Sequence, residues 1–248
     1  ISDLIDIDNL IDHFIVRTWS ADYDWLSPIE RNNANVSVFD NKNWYSGGKS
    51  RGENGKFKFF TWDAEMSMGN HLMINLAQFG IPSQGIINFD LTGVNDVGSP
   101  AEFYSKLRSY KPFKIRFGDR LHMHMFNNGT MSTYNNTVRW DGMARELESA
   151  IIAESARWGD EGTTIPDPFT RDDTWYPEIE WVRDEFIQQR NLIFINQLKE
   201  RGLYPKTEAP NLNQFGGNVP DDFALKMNSK NSEIYYTTDG TDPYTPKN

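Results

Sequence analysis

No cysteine occurs among the 248 residues. Disulfide frameworks, thiolate nucleophiles and cysteine-based zinc sites are thereby excluded. Histidine is scarce, with four in the chain: His13, His71, His122 and His124. His122 and His124 lie two apart, a spacing that sends side chains to different faces of a helix rather than to one metal. No Ser-His-Asp arrangement can be assembled from the order of residues. Positive charge is also short: 25 Lys and Arg stand against 35 Asp and Glu, a formal net charge of −10. That balance argues against partners read through a phosphate backbone, and against anionic membrane surfaces. No apolar run approaches the roughly 18 residues of a membrane helix, so membrane insertion is not expected, and no signal peptide is visible.

What is present is aromatic. Hydrophobic residues make up 38% and aromatic residues 14% of the chain, with 8 Trp, enough to bury a substantial core. The densest stretch runs from Trp44 to Glu65. Asn54-Gly55 within it is the strongest short-range hairpin signal, since a type I′ turn needs positive φ at both central residues. Phe57-Lys58-Phe59-Phe60-Thr61-Trp62 then reads as a strand, Phe57 and Phe59 on one face, Lys58 and Phe60 on the other. The strand is expected to end at Trp62, and an acid, Asp63, follows. A carboxylate held at a strand end is rigidly placed, while the residues beyond it are free to face a ligand.

Around this hairpin the pattern is helical. Leu4, Ile7, Leu10, Ile11, Phe14, Ile15 and Thr18 recur at helical spacing, with Asp3 or Asp8 as candidate N-caps. Val36–Phe39 is expected as a short strand, and the region from Met66 to Pro100 as a long loop. Ser99-Pro100-Ala101-Glu102 carries an N-cap, an N1 proline and an acid at N3. Ser132-Thr133 opens a second helix, and Trp175 to Arg201 a last long one closed by Gly202. Composition changes after Tyr204-Pro205. Phe223 to Met227 alternates, and Ile234 to Thr238 reads as a strand before an Asp-Gly turn. The fold class expected is α+β: a mainly helical lobe around a β-hairpin over residues 1–206, then a truncated sandwich-like β module over 207–248. The chain opens on Ile1-Ser2-Asp3-Leu4, without a methionine, and reads as the later part of a longer polypeptide.

Three polar residues flank the hairpin: Asp24 before it, Asn43 at its entry and Asp63 at its exit. Mg²⁺ prefers hard oxygen ligands and is commonly held by one or two carboxylates plus substrate phosphates. In protein kinases an aspartate, then an asparagine, then a strand-end aspartate act as base, metal ligand and metal ligand. By spacing alone the trio is weak, because so acidic a chain offers many such sets, and capping or solvated acids are the plainer reading. A paired-carboxylate glycosidase stays open on the same grounds, with acids beside Trp and Tyr.

Five segments together resemble one family. They are Ile7-Asp8-Asn9-Leu10-Ile11-Asp12, Asp22-Tyr23-Asp24-Trp25, Asn43-Trp44-Tyr45, the run from Gly55 to Glu65 that includes Trp62-Asp63-Ala64-Glu65, and Glu154-Ser155-Ala156-Arg157-Trp158-Gly159-Asp160. In this order, over residues 1 to about 204, they resemble the spore-coat CotH kinases, atypical secreted or surface protein kinases. The tail from Ile234 to Pro243 is similar to a chitobiase/hexosaminidase C-terminal module, which accompanies extracellular carbohydrate-active proteins.

The resemblance implies a kinase-like C-terminal lobe with ATP and Mg²⁺ as cofactors. It makes Asp24 the catalytic-loop aspartate, Asp63 a Mg²⁺ and nucleotide ligand, Asn43 a second ligand and Glu65 a further candidate metal or water ligand. It also implies a protein phosphoacceptor, an extracellular or cell-surface location, and a glycan as candidate partner for the β module. Nucleic acid is not an expected partner. The insert between Trp25 and Asn43 is longer than the family's usual spacer, so Asn41 or Asn33 competes with Asn43. The lobe bearing the nucleotide-binding lysine and its acidic partner falls outside the chain, so these residues alone are expected not to phosphorylate. The rival from another class is a non-catalytic surface or adhesion protein built on the same scaffold.

Overall fold

Asp6, rather than Asp3 or Asp8, opens the first helix: its carboxylate accepts from the Asn9 amide, and α1 runs Ile7–Trp19. The computed structural model describes residues 3–22, 25, 43–48, 55–68, 86–95, 99–160, 168–241 and 243. Asn54, the segment 36–39, Asn33, Asn41 and the candidate base Asp24 lie outside them. The chain separates into two compact units, Ile1–Tyr204 and Pro205–Asn248.

In the first unit α1 is followed by the hairpin strands β1 (Trp44–Gly47) and β2 (Lys58–Thr61), antiparallel with Trp44 opposite Thr61 and Gly47 opposite Lys58. A 3₁₀ turn spans Ile86–Asn88. Then come α2 (Pro100–Leu107), α3 (Lys111–Met125), α4 (Thr133–Trp158), α5 (Tyr176–Trp181) and α6 (Ile187–Glu200). The sequence cues at Ser99, Pro100 and Ser132 are realised as caps: Ser99 Oγ accepts from Ala101 N and Ser132 Oγ from Asn135 N. The long last helix is instead a succession, with π-helical turns at Arg171–Trp175 and Val182–Phe186 on either side of α5. Gly202 follows it with φ +66°.

An isolated two-stranded hairpin is marginal in water, so what stabilises this one is its surroundings. The free edge of β2 is covered by α1 and the residues before it. Phe57 departs from the expected strand: it forms a parallel bridge with Ile5, donating to Leu4 O at 2.7 Å while Asp6 N donates to Phe57 O at 3.0 Å. Two residues on, the Asn9 side chain acts as a short strand of its own. Its Nδ2 donates to Phe59 O at 3.2 Å and its Oδ1 accepts from Phe59 N at 2.6 Å. Of the hairpin's aromatics Phe59 is buried; Phe57, like Tyr45 and Phe60, stays about half exposed. The strand itself ends at Thr61, one residue short of expectation, and the chain turns out of the hairpin at Asp63, where φ is 50°.

The core lies between α1, the hairpin and α2, α3 and α6. Leu10, Ile11, Phe14 and Ile15 of α1 are fully buried, each contributing roughly 1.5–3 kcal/mol of transfer free energy. Phe14 stacks on Tyr104 of α2 with centroids 4.3 Å apart. Where α1 meets α3 outside the core, charges pair, Arg116 with Asp8 and Arg120 with Asp8 and Asp12, and His124 Nε2 lies 3.0 Å from Asp12 Oδ1. His122 points elsewhere, to the Tyr204 hydroxyl at 2.9 Å. In α6 the buried Arg190 donates to four carbonyls, Thr18, Trp19, Ile87 and Phe89, binding the end of α1 to the 3₁₀ turn.

The second unit holds β3 (Asn211–Leu212) paired antiparallel with β4 (Met227–Asn228). The strand expected over Ile234–Thr238 is not formed; that segment is irregular and exposed, ending in a bend at Gly240 with φ +78°. The molecule is therefore mixed α and β, mostly helical, with two small antiparallel sheets among the described residues.

Candidate functional site

The site grows from the end of α1. The helix closes in a Schellman motif: Ala21 N donates to Thr18 O at 3.3 Å and Asp22 N to Arg17 O at 3.1 Å. Ala21 stands at the left-handed position with φ 54°. This reversal returns the Asp22 carboxylate to the guanidinium of Arg17, one turn back, and both side chains are completely buried. Burying two charges is tolerable when they pair and their remaining hydrogen-bonding capacity is met. Arg17 meets part of it by reaching across to the hairpin. Its Nη2 donates to the carbonyls of Asn43 and Trp62, the latter at 2.9 Å.

Those two carbonyls mark the entry and exit of the hairpin. Trp62 N donates to Asn43 O at 3.3 Å, extending the ladder one residue past Trp44 and Thr61. Asn43 and Asp63, far apart in sequence, thus sit at the same end of the two strands. Both adopt left-handed backbone, with φ 63° and 50°. Asn and Asp tolerate this region better than most residues, and non-glycine residues held there concentrate at functional sites. The chain beyond is pinned as well: Ser67 Oγ donates to Ala64 O at 2.7 Å, and Met68 N to Ser20 O at 2.8 Å. Asp63 and Glu65 therefore occupy a short loop anchored at both ends to the C-terminal turn of α1, and both are exposed.

Next to this loop the outer hairpin face is aromatic. Tyr45 and Trp62 meet edge to face at 5.3 Å, and Tyr45, Phe60 and Trp62 are each half or more exposed. Against the inner face lies His13 of α1, edge-on to Trp25 at 5.6 Å and 6.2 Å from Phe59, with neither ring nitrogen hydrogen-bonded. Burial, and then the charge of Arg17, lowers the His13 pKa to about 3. This histidine is a neutral core residue.

The oxygen donors of Asn43, Asp63 and Glu65 are the hard type that suits Mg²⁺, in the mode of one or two carboxylates completed by substrate phosphates. Among the described residues no group of three or more His, Asp and Glu side chains could hold a metal by itself. By donor chemistry Asn43, Asp63 and Glu65 suit a site completed by phosphate oxygens. Asp24 lies two residues beyond the buried Asp22 and outside the described residues. A separate cleft of about 290 Å³ is lined by Ile151, Glu154, Trp158, Phe169, Trp175 and Glu178, and none of the hairpin residues contributes to it.

Sequence reasoning missed Arg17. The signal was available, because Arg17 falls three residues after Phe14 and seven after Leu10, a charged residue on the apolar stripe of its helix.

A family model described as CotH kinase protein matches residues 1–194, and one described as Fn3 associated matches residues 223–247. The second match falls on the tail likened above to a chitobiase-type module, whose resemblance it does not reproduce. No curated protein and no solved structure matches the chain.

Proposed function

The chain belongs to the CotH kinase protein family, and from that membership we propose that it forms the kinase-like C-terminal lobe of an atypical protein kinase, transferring the γ-phosphoryl group of ATP to a protein hydroxyl. The observation that supports this best is the hairpin end, where Asn43 and Asp63 are brought together and held in left-handed backbone by ties to α1. Asp63 and Asn43 would hold Mg²⁺, with Glu65 as a further metal or water ligand. Held by these residues, Mg²⁺ would supply positive charge against the charge that develops on the transferred phosphoryl group.

The chain's own residues bind and orient. The exposed rings of Tyr45, Phe60 and Trp62 offer a face on which a nucleobase can stack. Asp24 is assigned as the base that takes the acceptor hydroxyl proton. The anchored loop keeps the Asp63 backbone fixed, which matters because phosphoryl transfer relies on positioning and electrostatics. An extracellular or surface setting belongs to the same proposal, as does a glycan partner for the second unit, where Tyr235 and Tyr236 are widely exposed.

The test is Mg²⁺-dependent incorporation of labelled γ-phosphate by the full-length protein, wild type beside Asp24→Ala and Asp63→Ala. Wild type is expected to incorporate label and each variant to lose about 10²–10³-fold in rate. No incorporation by any of the three, with folding verified, favours the non-catalytic surface scaffold instead.

A further inference from the structure

We propose that Arg17 is the positioning residue of the hairpin-end site, a role that rests on that site being where metal and phosphate bind. Its guanidinium joins three chain segments: Asp22 through the carboxylate, Asn43 through its carbonyl, and Trp62 through the carbonyl that precedes Asp63. Two of these segments carry assigned residues, Asn43 itself and Asp63 next to Trp62. No other described side chain bonds to both ends of the hairpin and to the turn after α1.

The choice of arginine follows from the geometry. A planar fork with five donors can serve a carboxylate and two carbonyls together, whereas an ammonium is a point donor on a flexible stem. Bonds to the carbonyls of Asn43 and Trp62 orient the peptide planes at the two positions where the backbone is left-handed. The charge has been handled as well. A bare guanidinium beneath a cation site would repel the cation, and the buried Asp22 carboxylate neutralises it. Helix α1 is rigidly packed on every side that carries Leu10, Phe14 and Ile15, so the arginine transmits the register of the core to the site. This is how supporting residues tune a metal site from one layer out.

The experiment compares wild type with Arg17→Lys and Asp22→Asn, using two readouts. The first is amide hydrogen exchange resolved to segments 43–48 and 62–68. The second is Mn²⁺ affinity, as a probe of the divalent site. Arg201→Lys serves as the reference, because it loosens another arginine whose partners, Asp90 and Thr92, belong neither to the hairpin nor to the turn after α1.

Arg17→Lys is expected to speed exchange about tenfold or more at Trp62 to Ala64 while α3 and α4 keep their protection. Its Mn²⁺ affinity should fall about 10–100-fold. Asp22→Asn, the milder change, should shift both readouts in the same direction and less far; it decides the matter if Arg17→Lys does not fold. Arg201→Lys should leave both readouts at the hairpin unchanged. Unaltered exchange at Trp62 to Ala64 in a folded Arg17 variant overturns the proposal, as does an equal loss of Mn²⁺ affinity in Arg201→Lys. A wild type that binds no Mn²⁺ overturns the metal-site reading separately, and exchange alone then judges the hold of Arg17 on the hairpin.

Discussion

Ala21 and Gly202 hold the same place in two copies of one helix-terminating motif. At the end of α1, Asp22 N bonds Arg17 O and Ala21 N bonds Thr18 O. At the end of α6, Leu203 N bonds Leu198 O at 2.9 Å and Gly202 N bonds Lys199 O at 3.1 Å. Both central residues are left-handed, with φ 54° and 66°. Glycine adopts this conformation without strain, and alanine does so at a cost of roughly 1–2 kcal/mol.

Gly202→Ala isolates that cost. A methyl group there would meet nothing nearer than Lys114 Nζ at 3.8 Å, so crowding contributes little. Stability should fall by about 1–2 kcal/mol, lowering the thermal midpoint by about 2–4 °C per kcal/mol. Ala21→Gly should change the midpoint less, because relief of strain is offset by a void at a fully buried position and a freer unfolded chain. Equal midpoints for Gly202→Ala and wild type would show that the left-handed turn is not what closes α6.

Arg190→Met tests the second buried arginine. Burial lowers the Arg190 pKa to about 10, with the charge of Asp90 acting the other way, so it remains charged at neutral pH. Its charge is met by four carbonyl dipoles, two of them at the C-terminal end of α1, where a cation is favourable. Removing it strands those carbonyls in the interior. A loss of about 3–5 kcal/mol is expected from urea unfolding, and a loss below about 1 kcal/mol would mean that the carbonyls find other donors.

Asn9→Ala should release the far edge of β2. The Asn9 amide bonds both backbone groups of Phe59, and alanine leaves both without that partner. The cost is expected at about 1–3 kcal/mol. Faster hydrogen exchange at Phe59 than at Phe57 would locate the effect, since Phe57 keeps its bridge to Ile5. Uniform acceleration along the whole strand would argue against so local a role.

Acid should destabilise the first unit in two overlapping windows. His13 has an ordinary pKa of 6.5 and a folded value of about 3. Between those values the unfolded chain takes up a proton that the folded chain refuses, so stability falls as pH falls. The slope from one such group is about 1.4 kcal/mol per pH unit. Asp8 is lowered chiefly by its bond to Arg116. At Asp12 and Asp90 burial opposes ionisation, but bonds from His124 and Arg120, and from Thr92 and Arg201, outweigh it. The stability these carboxylates contribute is present above their ordinary pKa of 3.8 and lost as pH falls toward their lower folded values. His13→Phe, which suits the ring-lined cage, should flatten the pH dependence between about 6 and 4.5 and leave the steeper acid limb. An unchanged profile in that variant would remove His13 as the cause.

What the residues determined alone is local. Ser99, Pro100 and Ser132 start helices, Gly202 stops one, and the aromatic run after Gly55 makes a strand, because caps, fixed φ and side-chain stiffness act within a few residues. The acid after Trp62 could be singled out for the same reason. Tertiary structure decided what Arg17, Arg190 and Asn9 do. Each sits on a helix, and apart from Asp22, the near partner of Arg17, the carbonyls and amide they bond lie 26 or more residues away. Whether a charged or amide side chain faces water or satisfies distant carbonyls depends on which backbone groups packing leaves unpaired, and only the assembled core settles that. The N-cap shows the same division on a smaller scale. Asp3, Asp6 and Asp8 are all competent caps by composition, and Asp6 is chosen because the Phe57 bridge anchors the chain at that residue.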